Sequence, residues 1–103
     1  MPEFVTVAET SEIHAGQMKE VDVNGQSVLL ANVGGHYYAI EATCTHRGGP
    51  LPEGELHGDV VTCPWHFGGF DVRTGEAVAL PPTDSVNTYR VRVTGSAVQV
   101  APN

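Results

Sequence analysis

The stretch CPWHFGGFDVRTG, residues 63–75, places a cysteine and a histidine three positions apart among aromatic residues and glycines. A second such pair lies upstream in CTHRGGPLPEG, residues 44–54. The chain has two cysteines in all, and each has a histidine within three residues. Thiolate and imidazole are common metal ligands, so the two stretches predict a metal centre. The four candidate ligands are Cys44, His46, Cys63 and His66.

Two kinds of metal centre suit these ligands. A single tetrahedral zinc can take two cysteines and two histidines, but zinc motifs usually space a ligand pair by two to four residues, and here Cys44 and His46 are separated by one. A binuclear iron site suits one thiolate and one imidazole on each of two facing loops better, because each loop then serves both metals. A pair of buried apolar thiols is the remaining interpretation of Cys44 and Cys63.

The segments on either side of this central region have the patterns of β-strands. Asn24-Gly25 is the turn pair of a tight hairpin, and glycine-containing turns separate the other apolar segments. The predicted strands span residues 18–23, 26–33 and 36–40 before the region and 88–94 and 97–100 after it. Short strands are predicted at 59–62, 70–72 and 76–80, and one helical turn within 10–15. The fold class is therefore all-β, with antiparallel sheets forming a sandwich or barrel-like scaffold.

The region from about 43 to 82 differs in composition from this scaffold. It holds both cysteines and most of the glycines and prolines of the chain. Long loops in a compact chain are usually functional. We expect a single domain over residues 1–103, with an inserted, loop-rich cluster-binding subdomain at about 43–82.

The charge of the chain limits its partners. Twelve acidic and five basic residues give a formal net charge of −7. Nucleic acid and anionic lipid favour clustered lysine and arginine, so neither is expected as a partner. The N-terminus lacks the pattern of a signal peptide and no apolar stretch approaches the length of a membrane span. We expect a cytoplasmic monomer.

The two boxes resemble the cluster-binding boxes of Rieske [2Fe–2S] proteins, and the resemblance extends over essentially the whole chain. It implies a Rieske fold and one [2Fe–2S] cluster, with Cys44 and Cys63 binding one iron and His46 and His66 the other. Structural zinc is the less favoured alternative. Such clusters have potentials of roughly −150 to +300 mV.

Differences within the boxes indicate the subfamily. Rieske proteins of the cytochrome bc complexes carry a disulfide where this chain has Gly49 and Trp65, and hydroxyl donors where it has Gly68 and Phe70. Fewer donors to the cluster imply a potential near the low end of the Rieske range. The chain is similar to the soluble ferredoxins of bacterial Rieske oxygenase systems. The resemblance implies an electron carrier, not an enzyme, with a flavin-dependent NAD(P)H reductase and a terminal aromatic-ring oxygenase as partners; the alternative is a Rieske subunit of another redox enzyme.

Overall fold

The computed structural model describes residues 4–43, 49–65, 68–79 and 84–101, and ten antiparallel strands in these ranges form two sheets. The larger sheet has six strands, β1 (Val5–Glu9), β2 (Met18–Val23), β3 (Gln26–Val33), β4 (His36–Glu41), β9 (Thr88–Thr94) and β10 (Ala97–Ala101). The smaller has four, β5 (Glu55–His57), β6 (Val60–Thr62), β7 (Gly69–Asp71) and β8 (Ala77–Ala79). The all-β prediction is confirmed.

The six-stranded sheet forms a nearly closed barrel. Its strand order is β1-β10-β9-β4-β3-β2, and the two end strands, β1 and β2, contact each other. The four-stranded sheet has the order β5-β6-β7-β8 and is built from the segment between β4 and β9. The barrel-like scaffold with an inserted second unit is therefore confirmed.

Strand β3 separates two apolar cores. Its residues alternate between them, so Val28 and Leu30 lie inside the barrel while Leu29 and Ala31 face the smaller sheet. All four are fully buried. Burial on both faces explains why the sequence of β3 is a continuous apolar run and not an alternation.

The second core joins the smaller sheet to the barrel. Phe70 from β7, Val61 from β6 and Leu51 are fully buried there, together with Ile40 from the barrel. Cys63 belongs to the same core. The position of the cysteine is therefore tied to the barrel through shared apolar packing.

The predicted strand boundaries agree closely with the structure where the sequence pattern is strong. Strands β2, β3 and β9 begin and end at the predicted residues, whereas β7 begins and ends one residue earlier than predicted. Strands β1 and β5 were not predicted. Strand β5 has a single apolar residue, Leu56, and forms because it pairs with β6.

The alternating residues Tyr89, Val91 and Val93 of β9 predict one apolar face, but only part of that face is covered. Tyr89 and Val91 pack against the barrel core, but the side chain of Val93 is 46% exposed. The register of β9 with β4 ends at the pair Ala39–Tyr89, so no β4 residue pairs with Val93.

Helical structure in the described ranges is limited to two 3₁₀ turns, Thr10–Glu12 and Leu51–Glu53. The first confirms the turn predicted within residues 10–15. Its Glu12 carboxylate accepts a hydrogen bond from the Glu9 N–H at 2.8 Å. Neither turn has the length or the apolar character of a membrane-crossing helix, and the described ranges hold no other candidate.

Candidate metal centre

The second box lies at the hairpin that connects β6 to β7. Cys63 directly follows β6, and its backbone N–H donates a hydrogen bond to the carbonyl oxygen of Gly68 at 2.7 Å. The adjoining strand pair sets Thr62 opposite Gly69. The two ends of the segment 63–68, which contains His66 in the sequence, are therefore held together by backbone hydrogen bonds.

The first box is closed at its base in a similar way. Thr43 and Pro50 form an antiparallel bridge, and the N–H of Leu51 donates to the carbonyl oxygen of Ala42 at 2.9 Å. The side chain of Leu51 is fully buried in the second core. The ends of the segment that contains Cys44 and His46 are thus anchored on the same core as Cys63.

The two boxes lie directly against each other. A Cβ atom built on Gly49 would be 2.5 Å from the Cys63 Sγ atom and 3.3 Å from the Trp65 Cβ atom. A Cβ atom on Gly54 would overlap the carbonyl oxygen of Thr62. Glycine at these two positions therefore allows the backbone of the first box to lie on the start of the second.

The described residues include one of the four predicted ligands. Cys63 is buried, with 1% of its surface exposed. Cys44, His46 and His66 lie outside the described residues, as do Gly48, Phe67 and the Pro81-Pro82 pair. In the described ranges no three histidine, cysteine or acidic side chains form a metal-binding group, as expected when three of the four candidates are outside them. Convergence of the four ligands stays a prediction.

What the structure does show fits a sulfur-ligated cluster. The Cys63 thiol lies in an apolar core at the junction of two loops whose bases are fixed, and a glycine faces its sulfur. Soft thiolate ligands favour iron–sulfur clusters among other metal centres, and apolar surroundings limit the access of water to such a centre. The residues present are therefore compatible with a [2Fe–2S] cluster held between the two boxes.

The aromatic residues of the second box have different roles. Phe70 is fully buried in the core that contains Cys63. Trp65 is 50% exposed, so it is not part of that core. The side chain of Phe70 has no hydroxyl group and cannot donate a hydrogen bond, in line with the donor-poor site that the sequence indicates.

An arginine links two turns of the smaller sheet, the one between β5 and β6 and the one between β7 and β8. The Arg73 guanidinium lies 2.9 Å from an Asp59 carboxylate oxygen and 3.0 Å from one of Asp71. The hydrogen bond from Arg73 lowers the pKa of the Asp71 carboxyl, and the same bond, with the nearby Asp59 charge, raises the pKa of Arg73. The N–H of Val72 also donates to the Asp59 carbonyl oxygen at 2.8 Å. The turn after β7 is thereby fixed to the turn before β6.

The outer side of the Cys63 segment is acidic. A shallow cavity of about 240 Å³ is lined by Glu53, Gly54, Glu55, Thr62, Cys63 and Pro64. Both glutamates are exposed. They add negative charge close to the candidate ligand, where the sequence analysis named no functional residue.

The second half of the first box, residues 49–54, forms a strap that leads directly into β5, and this strap was not predicted as a structural element. Leu51 anchors this strap in the core, and Gly49 and Gly54 bring its two ends against Cys63 and Thr62. The signal that predicts it is the sequence GPLPEG, in which a buried apolar residue lies between two prolines and two glycines.

Comparison with known proteins gives consistent matches. The profile of the family described as "Rieske [2Fe-2S] domain" matches residues 3–90. The ferredoxin component of biphenyl 2,3-dioxygenase from Rhodococcus jostii (strain RHA1) is 36% identical over 94 residues, which cover 91% of this chain and 88% of the relative.

Solved structures of similar proteins support the same assignment. The ferredoxin of carbazole 1,9a-dioxygenase from Nocardioides aromaticivorans IC177 is 37% identical, with a TM-score of 0.93 over 97% of this chain and 98% of that one. A chain from the complex of reduced oxygenase and oxidized ferredoxin in carbazole 1,9a-dioxygenase is 36% identical, with a TM-score of 0.91 over 95% of this chain and 92% of that one.

Proposed function

Because this chain belongs to the Rieske [2Fe–2S] domain family, we propose that it is the ferredoxin component of an aromatic-ring dioxygenase system. The relatives that it matches over nearly their whole length are named as ferredoxin components of dioxygenase systems and not as catalytic subunits, so it carries electrons and converts no substrate itself. The observation in this structure that carries the proposal is the contact of the two boxes, with Gly49 of the first against the Cys63 sulfur of the second.

The proposed ligands are Cys44 and Cys63 for one iron and His46 and His66 for the other. Burial of Cys63 and the fixed bases of both boxes support this set. When bound, a [2Fe–2S] cluster with this ligand set supplies a one-electron redox centre. Each anchored box supplies one cysteine and one histidine, so both Cys–His pairs are used by the cluster.

The surrounding residues hold the site and restrict water. Leu51, Val61 and Phe70 are fully buried in the same apolar core as Cys63. The backbone hydrogen bond from Cys63 to Gly68 keeps the sulfur at the end of β6. A rigid and apolar environment of this kind reduces the structural change that accompanies a change in cluster charge, which suits fast electron transfer.

The potential is proposed to lie toward −150 mV, the low end of the Rieske range of roughly −150 to +300 mV. Phe70 and Gly68 offer no side-chain hydroxyl to the cluster, and Glu53 and Glu55 line the same cavity as Cys63 and give it negative charge. Both features disfavour addition of an electron. A potential measured well above 0 mV would contradict this part of the proposal.

The proposed partners are a terminal Rieske oxygenase, which accepts the electron, and a flavin-dependent NAD(P)H reductase, which supplies it. Support for the oxygenase comes from the similar chain in the carbazole dioxygenase complex. The names of the relatives imply a multicomponent system and hence a reductase. A cytoplasmic location and a single domain with a cluster-binding subdomain at about 43–82 are part of the same proposal.

The test is chemical analysis of the purified protein. We expect two iron and two acid-labile sulfide ions per chain, with an electron paramagnetic resonance signal after reduction by one electron. Zinc in place of iron, or iron without sulfide, would refute the cluster. The functional part is tested by mixing the reduced protein with an oxidised Rieske oxygenase and following its reoxidation; an absence of transfer to every such oxygenase tried would favour a subunit of another redox enzyme.

The ligand set has a separate test. We expect His46→Cys to lower the reduction potential, because a thiolate adds negative charge where a neutral imidazole was bound. His57→Cys is the matched control, since His57 is exposed and contacts Glu55 at the far end of β5. A higher potential in His46→Cys, or equal shifts in both variants, would contradict the assignment of His46.

A further inference from the structure

Gly49 occupies the point where the two boxes touch. A side chain there would meet the Cys63 Sγ atom at 2.5 Å and the Trp65 Cβ and Cγ atoms at 3.3 Å each. The backbone φ of Gly49 lies outside the left-handed region that favours glycine. The backbone conformation at position 49 therefore does not require glycine. The close approach of Cys63 and Trp65 does, because it leaves no room for a side chain.

The sulfur is the neighbour that leaves least room. Non-bonded carbon atoms are comfortable at about 3.5–4.0 Å, and sulfur is larger than carbon, so a methyl group at position 49 requires a displacement of about 1 Å or more. Trp65 is a softer obstacle, since its side chain is half exposed and has solvent to move into. The Sγ atom of Cys63 is the atom that a side chain at position 49 would displace.

Cys63 has little freedom to absorb such a displacement by moving as a whole. Its backbone is held to Gly68 by a 2.7 Å hydrogen bond, and the strand before it is paired on both sides. The residue is 1% exposed and packed in the second core. A push from position 49 therefore acts mainly on the direction of the side chain, which is the part that would hold a metal.

The strap that carries Gly49 is itself firmly placed. Leu51 is fully buried, and its N–H donates to Ala42 at 2.9 Å. At the other end of the strap, Gly54 lies against the Thr62 carbonyl group. The backbone at position 49 is thus a fixed surface against which the sulfur rests.

We propose that Gly49 is a positioning residue for Cys63: its bare backbone sets where the thiolate sulfur lies, and Trp65 covers the outer side of the contact. A Cβ atom at position 49 would be 3.3 Å from the Trp65 Cβ atom, so the tryptophan packs directly on the bare backbone of Gly49. This inference rests on the proposed role of Cys63 as a cluster ligand.

The test compares Gly49→Ala with Gly58→Ala in the holoprotein. Gly58 lies in the turn between β5 and β6 of the smaller sheet. It has φ +63° and no atom within 4 Å of its Cβ position, so its substitution adds backbone strain alone. We expect Gly58→Ala to lower the melting temperature and to leave the potential and the electron paramagnetic resonance spectrum unchanged. Gly49→Ala should change both the potential and the electron paramagnetic resonance spectrum. It should also contain less than half of the iron and sulfide found in Gly58→Ala.

A double variant separates the sulfur from the indole as the origin of the effect. Trp65→Ala keeps the Cβ atom of residue 65 and leaves Cys63 in place, so Gly49→Ala/Trp65→Ala should retain the shift of Gly49→Ala. Recovery of the wild-type potential in the double variant would assign the effect to crowding by the indole and would overturn the proposal. A Gly49→Ala protein with a wild-type spectrum, or one whose barrel is unfolded, would also overturn it.

The outcomes separate this inference from the proposed function. Wild-type protein without iron and sulfide would refute the cluster itself. Loaded wild-type protein with indistinguishable Gly49→Ala and Gly58→Ala variants would refute the positioning role of Gly49 and leave the ferredoxin assignment intact.

Discussion

The barrel and the smaller sheet are stabilised in different ways. Barrel strands are five to eight residues long and enclose an aliphatic core of their own. Each strand of the smaller sheet has three residues, and its buried side chains pack in a core that it shares with β3 and β4. Strands this short form few ladder hydrogen bonds, so the smaller sheet depends on that shared core, on the glycine contacts of the strap and on the Arg73 bridge. The barrel therefore has a core of its own, whereas the smaller sheet, which carries Cys63, depends on the barrel for part of its core.

The largest expected effect is from Cys63→Ala. Loss of the ligand should remove iron and sulfide completely, and because metal binding and loop order are coupled, it should also loosen the smaller sheet. Hydrogen exchange measured by mass spectrometry should show faster exchange over residues 55–62 and 69–72, with protection of β2 to β4 retained. Equal loss of protection in both sheets would mean that the barrel is not independent of the metal centre.

The next largest effects are expected when one large side chain is truncated in each core, and they should differ between the two cores. Phe70→Ala and Leu30→Ala remove fully buried side chains and should lower the free energy of unfolding by about 3–5 and 2–5 kcal/mol, respectively. Phe70→Ala should in addition release iron, because Phe70 shares its core with Cys63, whereas Leu30→Ala should keep the wild-type potential. Denaturant unfolding with parallel iron analysis measures both. Iron loss from Leu30→Ala at equal stability would contradict the separation of the two cores.

A smaller effect is expected from Asp71→Asn, which weakens the Arg73 bridge. Asp71 also accepts a hydrogen bond from the Arg73 N–H at 2.8 Å, and the loss should amount to about 1 kcal/mol at neutral pH after allowance for solvent screening. Because the folded-state pKa of Asp71 is lowered, its stabilisation is fully present above the unfolded value of about 3.9 and is lost as pH falls through the folded pKa. Unfolding of wild type and Asp71→Asn should thus differ at pH 7 and converge in acid. A difference that persists at the lowest pH would show that the carboxylate charge is not the cause.

The smallest effect is expected in the barrel, from Lys19→Ala. Lys19 pairs with Glu12 at 2.6 Å, and this hydrogen bond lowers the pKa of Glu12, but both side chains are exposed. Exposed pairs contribute little in salt-containing buffer. The melting temperature of Lys19→Ala should equal that of the wild type within experimental precision. A clear drop would show that the barrel also depends on surface charge.

Much of the barrel was predictable, because four of its six strands have six to eight residues with an alternating or continuous apolar pattern, and most of them meet at glycine turns. Asn24 and Gly25 have φ values of +52° and +87°, as the Asn-Gly turn prediction requires. Strand β5 was not predictable, since a three-residue strand with one apolar side chain owes its form to pairing with β6. The half exposure of Trp65 was not predictable either, because large aromatic residues are usual both in cores and at functional surfaces.

The amino-acid sequence alone determined the chemistry of the candidate site and the β-class of the scaffold, because ligand types, their spacing and apolar periodicity are local properties of the chain. The tertiary structure decided which backbone rests against the Cys63 sulfur, that Leu51 anchors the strap, and that Arg73 joins two turns. Those contacts join residues that are distant in sequence, and their distances depend on how the two sheets pack together.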